Sequence, residues 1–437
     1  MRVIVIGGGA VGLCVAEALA RRGGEVTVFE RDRCGTGASA GNAGWITPSL
    51  AVPVPGPGVI GQSLRWLVDP SGPLWIRPTV SPAMLAWIAR FLVSCARPAY
   101  LRGLVALQRA AALAGPAFDE LAERGVEFEL HDEPLMYPAF EQTELEHLWR
   151  VADELRDVGV EGSLERLSVS ELLALEPALS DRVVGGLIGR GDRRVRPESL
   201  CAGVRRALLG AGAEVFECSP VEDLIRDGST WIVQSGPVAR RADAVVLAGG
   251  VASAHLLAPL GTRLTIAAAK GYSRTYASHP SGPRRPLYLE APKVAISVFD
   301  GAVRVSGTLE LGARGLSLSD RRLKAITAAA RKALPGWEMP DRPRDWAGMR
   351  SLSPDGLPFI GPVPGWDGIH LAAGHATLGI TLAPLTGELL APLVFEGRRH
   401  ELLGAFDPAR AVAAGGSIRR LSRDCVQRLR ATAGGLR

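Results

Sequence analysis

Apolar positions open the chain in one continuous run. Arg2 to Ile6 (RVIVI) is a β-branched stretch suited to a strand buried on both faces, and it leads directly into Gly7-Gly8-Gly9-Ala10-Val11-Gly12. The apolar period then lengthens: Val11, Cys14, Val15, Ala18 and Leu19 recur at helical spacing until Gly23-Gly24, and Glu25 to Glu30 (EVTVFE) reads as a second strand. Helical patterns also cover 99–124, which Gly125 ends, and 141–158, with a strand suggested over 127–130. Strands are predicted at Glu214 to Cys218, and at Val221 to Ile225 and Trp231 to Gln234 around an Asp227-Gly228 hairpin turn. A further strand, from Ala244 to Leu247, runs into Gly249-Gly250. Ala291 to Gly307 gives two strands around Asp300-Gly301, Arg321 to Leu334 a helix, and Gly368 to Ala373 a strand. The prolines of Ala51 to Gly58 (AVPVPGPG) exclude helix there.

Size turns this pattern into two domains, because 437 residues exceed what one ordinary core accommodates. The apolar share of 47% and charged share of 22% are those of a stable globular protein. The net charge of +5 is confined to one end. Arg410 to Arg437 holds seven arginines against Asp424, leaving the preceding 409 residues at −1. The body therefore lacks the basic stripe that nucleic-acid binding requires. Six cysteines (14, 34, 95, 201, 218, 425) without paired spacing suggest neither a zinc site nor a disulfide framework, and a reduced cytoplasmic setting is expected. Gly7 to Gly9 and Glu17 break the only stretch resembling a secretory signal, and no uncharged apolar run approaches the roughly 20 residues of a spanning helix.

The glycine cluster carries the first chemistry. In G-x-G-x-x-G, Gly7 permits the tight turn, Gly9 lets the backbone approach a pyrophosphate at the start of the Ala10-Val11 helix, and Gly12 allows close helix–strand packing. The helix start offers unpaired N–H groups and a positive dipole end to an anion. Glu30, at the end of the second strand, is placed for ribose hydroxyls, while Arg31 and Arg33 leave room for a 2′-phosphate. These features predict a dinucleotide without deciding between FAD and NAD.

Thr36-Gly-Ala-Ser39-Ala-Gly-Asn42-Ala43-Gly44-Trp45-Ile-Thr-Pro48 resembles the flavin-contacting loop of the D-amino-acid dehydrogenase and glycine oxidase family, an FAD-dependent family. A second segment also resembles that family: Trp346-Ala-Gly-Met-Arg350 through Pro358-Phe-Ile-Gly361, then Gly374-His375-Ala-Thr377-Leu378-Gly379-Ile-Thr381. The likeness implies FAD as cofactor and Ser39, Asn42, Ala43, Gly44 and Trp45 along it. It further implies Val221 near the adenine, Ala248 and Gly249 closing over the nucleotide, and Gly374, His375, Thr377, Leu378 and Gly379 at the flavin. A helix is expected from about Thr377 to Val394, its start facing the charge of a reduced flavin. Gly37-Ala38-Ser39-Ala40-Gly41 also fits the hydrolase nucleophile pattern, but it lacks the strand before and helix after that the pattern needs.

The implied fold is α/β: a Rossmann-like FAD-binding domain of the glutathione-reductase type (1–52, 185–262, 346–405), a second α+β substrate domain built on a mixed sheet (53–184, 263–345), and a basic tail (406–437). In such a family Arg350 holds the substrate carboxylate bidentately. Tyr272, in Lys270-Gly-Tyr-Ser273, hydrogen-bonds the substrate, shapes its pocket or is a core residue, and His375 serves a structural bond or proton transfer. No carboxylate dyad or metal-spaced cluster is visible in the sequence. The expected reaction is oxidative deamination of a D-amino acid or related imino acid by hydride transfer from Cα to flavin N5, giving an imine that hydrolyses to a 2-oxo acid and ammonia. Quinone, oxygen or a partner protein are the acceptors considered. An oxygen-using glycine or N-methyl-amine oxidase, a flavin hydroxylase and the FAD-binding subunit of a heteromeric dehydrogenase are the alternatives. Trp66, Trp75 and Trp87 resemble a region of quinone-linked members or form cap core. Ile418, Leu421, Cys425, Val426 and Leu429 make an apolar stripe beside arginines, suited to an anionic membrane or to packing on protein.

Overall fold

The computed structural model describes residues 1–59, 61, 72–77, 81–157, 159, 164–313 and 315–414. Trp66 and the apolar stripe of the basic tail lie outside the described residues.

Arg2–Ile6 buries four of its five side chains, which only an interior strand can do. It pairs in parallel with Glu25–Phe29 on one side and Ala244–Leu247 on the other. Glu214–Phe216 and Ile369–Ala373 extend the parallel sheet outward, and antiparallel Phe359–Pro362 closes its far edge. Parallel neighbours need a crossover, supplied first by the Ala10–Arg21 helix. The Ala383–Glu396 helix packs closely along it, because Gly387 has no Cβ to strike the Cys14 carbonyl. On the opposite face lies an antiparallel meander of Asp223–Asp227, Thr230–Ser235 and Val238–Ala242, with Trp231 and Val233 in a core shared with Ile4 and Leu247.

The second layer is a nine-stranded mixed sheet. Its order is Arg344–Leu352, Ala267–Ala277, Ala302–Leu311, Val294–Phe299, Leu287–Leu289, Leu135–Ala139, Gly185–Gly189 and Glu165–Leu167, with Leu74–Ile76 beside Ala302–Leu311. Two of these strands fall in stretches expected on the nucleotide side. Arg344–Leu352 instead pairs along its whole length with Ala267–Ala277, and Gly185–Gly189 with Leu135–Ala139. The Asp320–Ala333 helix covers one face through Leu323, Ile326 and Ala330.

Three elements differ from the sequence pattern. The 99–124 pattern folds as two helices, Arg97–Ala112 and Ala114–Glu123, because Pro116 has no N–H for the Ala112 carbonyl and its ring crowds that turn. The strand expected over 127–130 is displaced to Leu130–His131, which pairs with Arg193–Val195; that strand in turn pairs with Trp45–Ile46. The helix expected from Thr377 begins only at Ala383. Pro384 occupies its first turn, and its ring would crowd the Ile380 carbonyl if the helix started earlier. Residues 377–382 form successive turns instead, with Leu378 N–H donating to His375 O at 2.8 Å and Leu382 N–H to Leu378 O at 2.9 Å. No helix among the described residues is long and apolar enough to cross a membrane.

Candidate active site

The glycine turn is built for close approach. Gly7 has φ +116°, and a Cβ there would lie 2.6 Å from the Ala248 carbonyl oxygen; a Cβ on Gly12 would overlap the Gly7 carbonyl. The two glycine turns thus lie against each other, joined by Ala248 N–H donating to Ile6 O at 2.8 Å. At the helix start Gly9 is a cap without a side chain, no acid occupies the first turn, and Ala10 N–H donates to Ser39 Oγ at 3.1 Å. Val11 and Gly12 present N–H groups that the helix cannot satisfy. Glu30 accepts Gly8 N–H at 2.6 Å and Asp32 N–H at 2.9 Å. The segment leading to Val221 runs beside it, Ser219 N–H donating to Glu30 O at 2.8 Å. Arg31 turns back onto Asp32 at 3.0 Å.

The loop after the second strand is held by its carbonyls. Arg304 donates to Asn42 O at 2.7 Å, Ser297 to Ala43 O at 2.7 Å, Val195 N–H to Gly44 O at 2.7 Å and Thr381 to Trp45 O at 2.8 Å. Four anchors from three parts of the chain, the 294–311 hairpin supplying two of them, fix this loop between the two layers. Arg304 is buried and is itself paired with Glu198 at 2.5 Å, and it bonds Thr275 at 3.1 Å. Gly44, at φ +76°, leaves no space for a Cβ beside the Val195 carbonyl, and Gly41 lies flat against the Trp346 ring.

The 374–379 turn meets the substrate sheet at its edge. Ala376 N–H donates to Ser351 O at 3.0 Å, and His375 bridges to Leu352. Gly374 takes φ +77° because a Cβ would press on Phe359, whereas Gly379 meets nothing closer than 3.7 Å, from the His375 Cβ. His375 is buried, and its Nε2 lies 3.0 Å from Thr386 Oγ1, which donates to Leu382 O. The imidazole therefore donates to Thr386, and burial pushes its pKa down to about 4. Of the two roles expected of His375, a structural bond and proton transfer, this geometry is that of the structural bond: the neutral ring joins the turn to the following helix.

Arg350, which is half-buried, stands apart from the buried arginines. Arg304 has Glu198, and Arg194 has Glu133 at 2.9 Å. Among the described residues Arg350 has no ion pair or hydrogen bond at its guanidinium, and burial pushes its pKa down. Gly271, on the neighbouring strand two residues along from the Ala269 that pairs with Arg350, gives the side chain room, since a Cβ there would lie 3.0 Å from Arg350 Nε. The titratable group that acts on it is Tyr288, whose pKa burial pushes well above the usual phenol value, so that it faces Arg350 as a neutral phenol. The Tyr288 ring meets Trp45 edge-on at 5.7 Å and Tyr137 at 6.1 Å. Trp45 Nε1 is buried without an acceptor among the described residues. An unpaired guanidinium, a phenol and an unsatisfied indole N–H make a site that favours a small anion with an apolar body.

Tyr272 is not part of this site. Arg350 pairs with Ala269 and Ala347 with Tyr272, and directly opposed residues share a face, so Tyr272 points to the other side of the sheet. There it packs with Leu323 and Ile326 and donates to Glu310 at 2.9 Å. That corrects its expected contact with substrate. Tyr288, Arg304 and Ser297 went unforeseen, since no local motif marks them. Behind Tyr137 lies a further unforeseen group: Asp192 accepts from Ser49 N–H at 3.1 Å, from the Ser49 hydroxyl and from Tyr137 at 3.2 Å, and burial raises its pKa to about 7.

A model of the FAD-dependent oxidoreductase family matches residues 2–393. The chain belongs to this family. Its relatives include a D-amino acid dehydrogenase of Xanthobacter autotrophicus, 32% identical over 90% of this chain and 95% of that protein. Another, from Methylobacterium nodulans, is 33% identical over 92% and 97%. Glycine oxidase from Geobacillus kaustophilus has the same fold, with a TM-score of 0.74, 25% identity and coverage of 96% of this chain and all of that one. FAD is accordingly the cofactor. The residues fit it: a Cβ-free cradle at Gly7 and Gly12, an uncompensated helix start at Gly9 and a carboxylate at Glu30 suit a pyrophosphate and ribose.

Proposed function

We propose that this FAD-dependent oxidoreductase oxidises the Cα–N bond of an amino acid, in the D configuration, to an imine that water hydrolyses to a 2-oxo acid and ammonia. The observation that carries the reading is the half-buried Arg350 guanidinium, which has no acid partner among the described residues. A substrate carboxylate supplies the missing charge, and a bidentate clamp fixes Cα. Tyr288 and Trp45 wall the site and keep water from the reacting carbon. The names of the relatives favour the D configuration. Bound FAD supplies the hydride acceptor. Gly7, Gly9, Ala10, Val11 and Gly12 would hold its pyrophosphate, Glu30 its ribose, Arg31, Val221, Ala248 and Gly249 the adenosine side, and Ser39 to Trp45 with Gly374 to Gly379 the flavin side.

A dehydrogenase needs an acceptor other than oxygen, and a membrane quinone, met by peripheral contact, is the acceptor we propose. The glycine oxidase likeness favours a second reading, in which oxygen takes the electrons. Turnover of D-amino acids, L-amino acids, glycine and N-methyl amines with a water-soluble dye, repeated under oxygen alone, tests both. Dye-dependent turnover of D-amino acids supports the first reading, peroxide formation the second, and turnover confined to L-amino acids refutes the assigned configuration.

A further inference from the structure

The Pro82–Ser94 helix carries apolar side chains on its outer as well as its inner side, with Arg90 its one charge. Met84, Trp87, Ile88 and Phe91, at helical spacing, pack inward with Leu74, Ala267, Leu352 and Ala376. The opposite side carries Leu85, Ala86, Ala89, Leu92 and Val93, all exposed, with Leu85 52%, Leu92 46% and Val93 73% accessible. A helix apolar on both sides belongs in a core or against a partner, and large aliphatic side chains left outside mark an interaction surface. We propose that this face seats the enzyme on an anionic bilayer surface.

Charge selects the occupant. Between residues 70 and 118 there is no Asp or Glu, while Arg77, Arg90, Arg97, Arg102 and Arg109 fall in the same stretch. Arg97 pairs with Glu154 and Arg109 with Glu401. Arg77, Arg90 and Arg102 are exposed and have no acidic partner among the described residues. An apolar face bordered by arginines that carry no acidic partner, Arg90 being held only by the Thr265 hydroxyl at 3.0 Å, complements acyl chains beneath anionic headgroups. A second copy would set arginine against arginine across a twofold axis, and the tail, itself rich in arginine, would add cations to cations. With 13 residues the helix lies on a membrane rather than through it.

The face is also joined to the redox site. Trp87 Nε1 donates to Leu352 O at 3.0 Å, at the end of the strand that carries Arg350, and Ala376 of the flavin-side turn packs in the same cluster. A bilayer under this helix would lie about one helix diameter, roughly 10 Å, from that turn. An apolar acceptor dissolved in lipid would then reach the enzyme beside its flavin. That purpose rests on the quinone acceptor proposed above; the contact itself is tested apart from it.

The test is flotation of full-length FAD-loaded enzyme with phosphatidylglycerol-containing vesicles and with phosphatidylcholine vesicles, for wild type and for the triple variant Leu85→Ser, Leu92→Ser, Val93→Ser. The expected result is binding of wild type to the anionic vesicles, weakened by salt, and at least a tenfold or so loss in the triple variant with dye-coupled turnover unchanged. Should the triple variant not accumulate, Val93→Glu at the most exposed position reads out the same loss. Unchanged vesicle binding in these variants overturns the proposal, as does a wild-type dimer that ignores vesicles and that the variants dissociate. Failure of wild type to turn over amino acids with dye would refute the amino-acid reading and leave the vesicle result standing.

Discussion

Replacing Arg350 with Met should have two opposite effects, and the pair distinguishes a substrate clamp from a structural arginine. In the substrate-free protein the guanidinium is half-buried with no acid partner among the described residues, so the folded state bears a desolvation cost that no ion pair among them offsets. An apolar side chain of similar length removes that cost, and stability should stay level or rise by about 1 kcal/mol or more. In the complex the same guanidinium meets the substrate carboxylate away from water. Truncating one partner of such a pair costs about 2–5 kcal/mol, a loss in affinity of roughly thirtyfold to several thousandfold. Thermal unfolding of the FAD-loaded enzyme measures the first effect. Titration of the flavin absorbance with a non-oxidisable carboxylate measures the second, free of any change in chemistry. Arg350→Lys, which keeps the charge but not the planar fork, should fall between wild type and Met. A Met variant that binds the carboxylate within about threefold of wild type, or that loses several kcal/mol of stability, would refute the reasoning.

Other residues carry their own outcomes. Arg304→Met should free the Asn42 carbonyl and lower FAD affinity about tenfold or more, measured by recovery of free-flavin fluorescence on dilution. Tyr272→Phe should cost about 1–3 kcal/mol of stability through the lost bond to Glu310 and leave KM unchanged; a raised KM would return Tyr272 to the substrate side. Asp192 holds its proton up to about pH 7 when folded, well above its ordinary value of 3.8. Its contribution to stability is therefore full at acidic pH, falls as pH rises from about 4 to about 7 and is level beyond, by on the order of 4 kcal/mol in all. Asp192→Asn should lack that slope, and a difference in denaturant midpoint between variant and wild type that does not change over this range would contradict it.

What the sequence makes legible here is what is local along the chain. Gly7, Gly9, Gly12 and Glu30 act within one strand–helix–strand unit, and spacing alone identifies them. Arg350 is legible through the motif around it, yet its defining property, the absence of an acid partner among the described residues, is a fact of three dimensions. Tyr288 acts on Arg350 from a strand some sixty residues earlier, and Arg304 reaches Asn42 across 262 residues. Neither pairing leaves a periodic trace. Tyr272 shows the converse: its place in a matching segment is real, but which face a strand residue occupies depends on register, and pairing of Ala269 with Arg350 puts Tyr272 behind the sheet. The late start of the helix at Ala383 was available in principle from Pro384, whose missing N–H is tolerated only in a first turn.

Anaerobic mixing of the FAD-loaded enzyme with a D-amino acid, followed by flavin absorbance and by assay of the quenched solution, tests the central claim most directly. The flavin should bleach in a single turnover and yield one 2-oxo acid and one ammonia per flavin, with Arg350→Met bleaching only at far higher substrate concentration. A flavin that stays oxidised with every D-amino acid, and bleaches instead with an amine lacking a carboxylate, would contradict it.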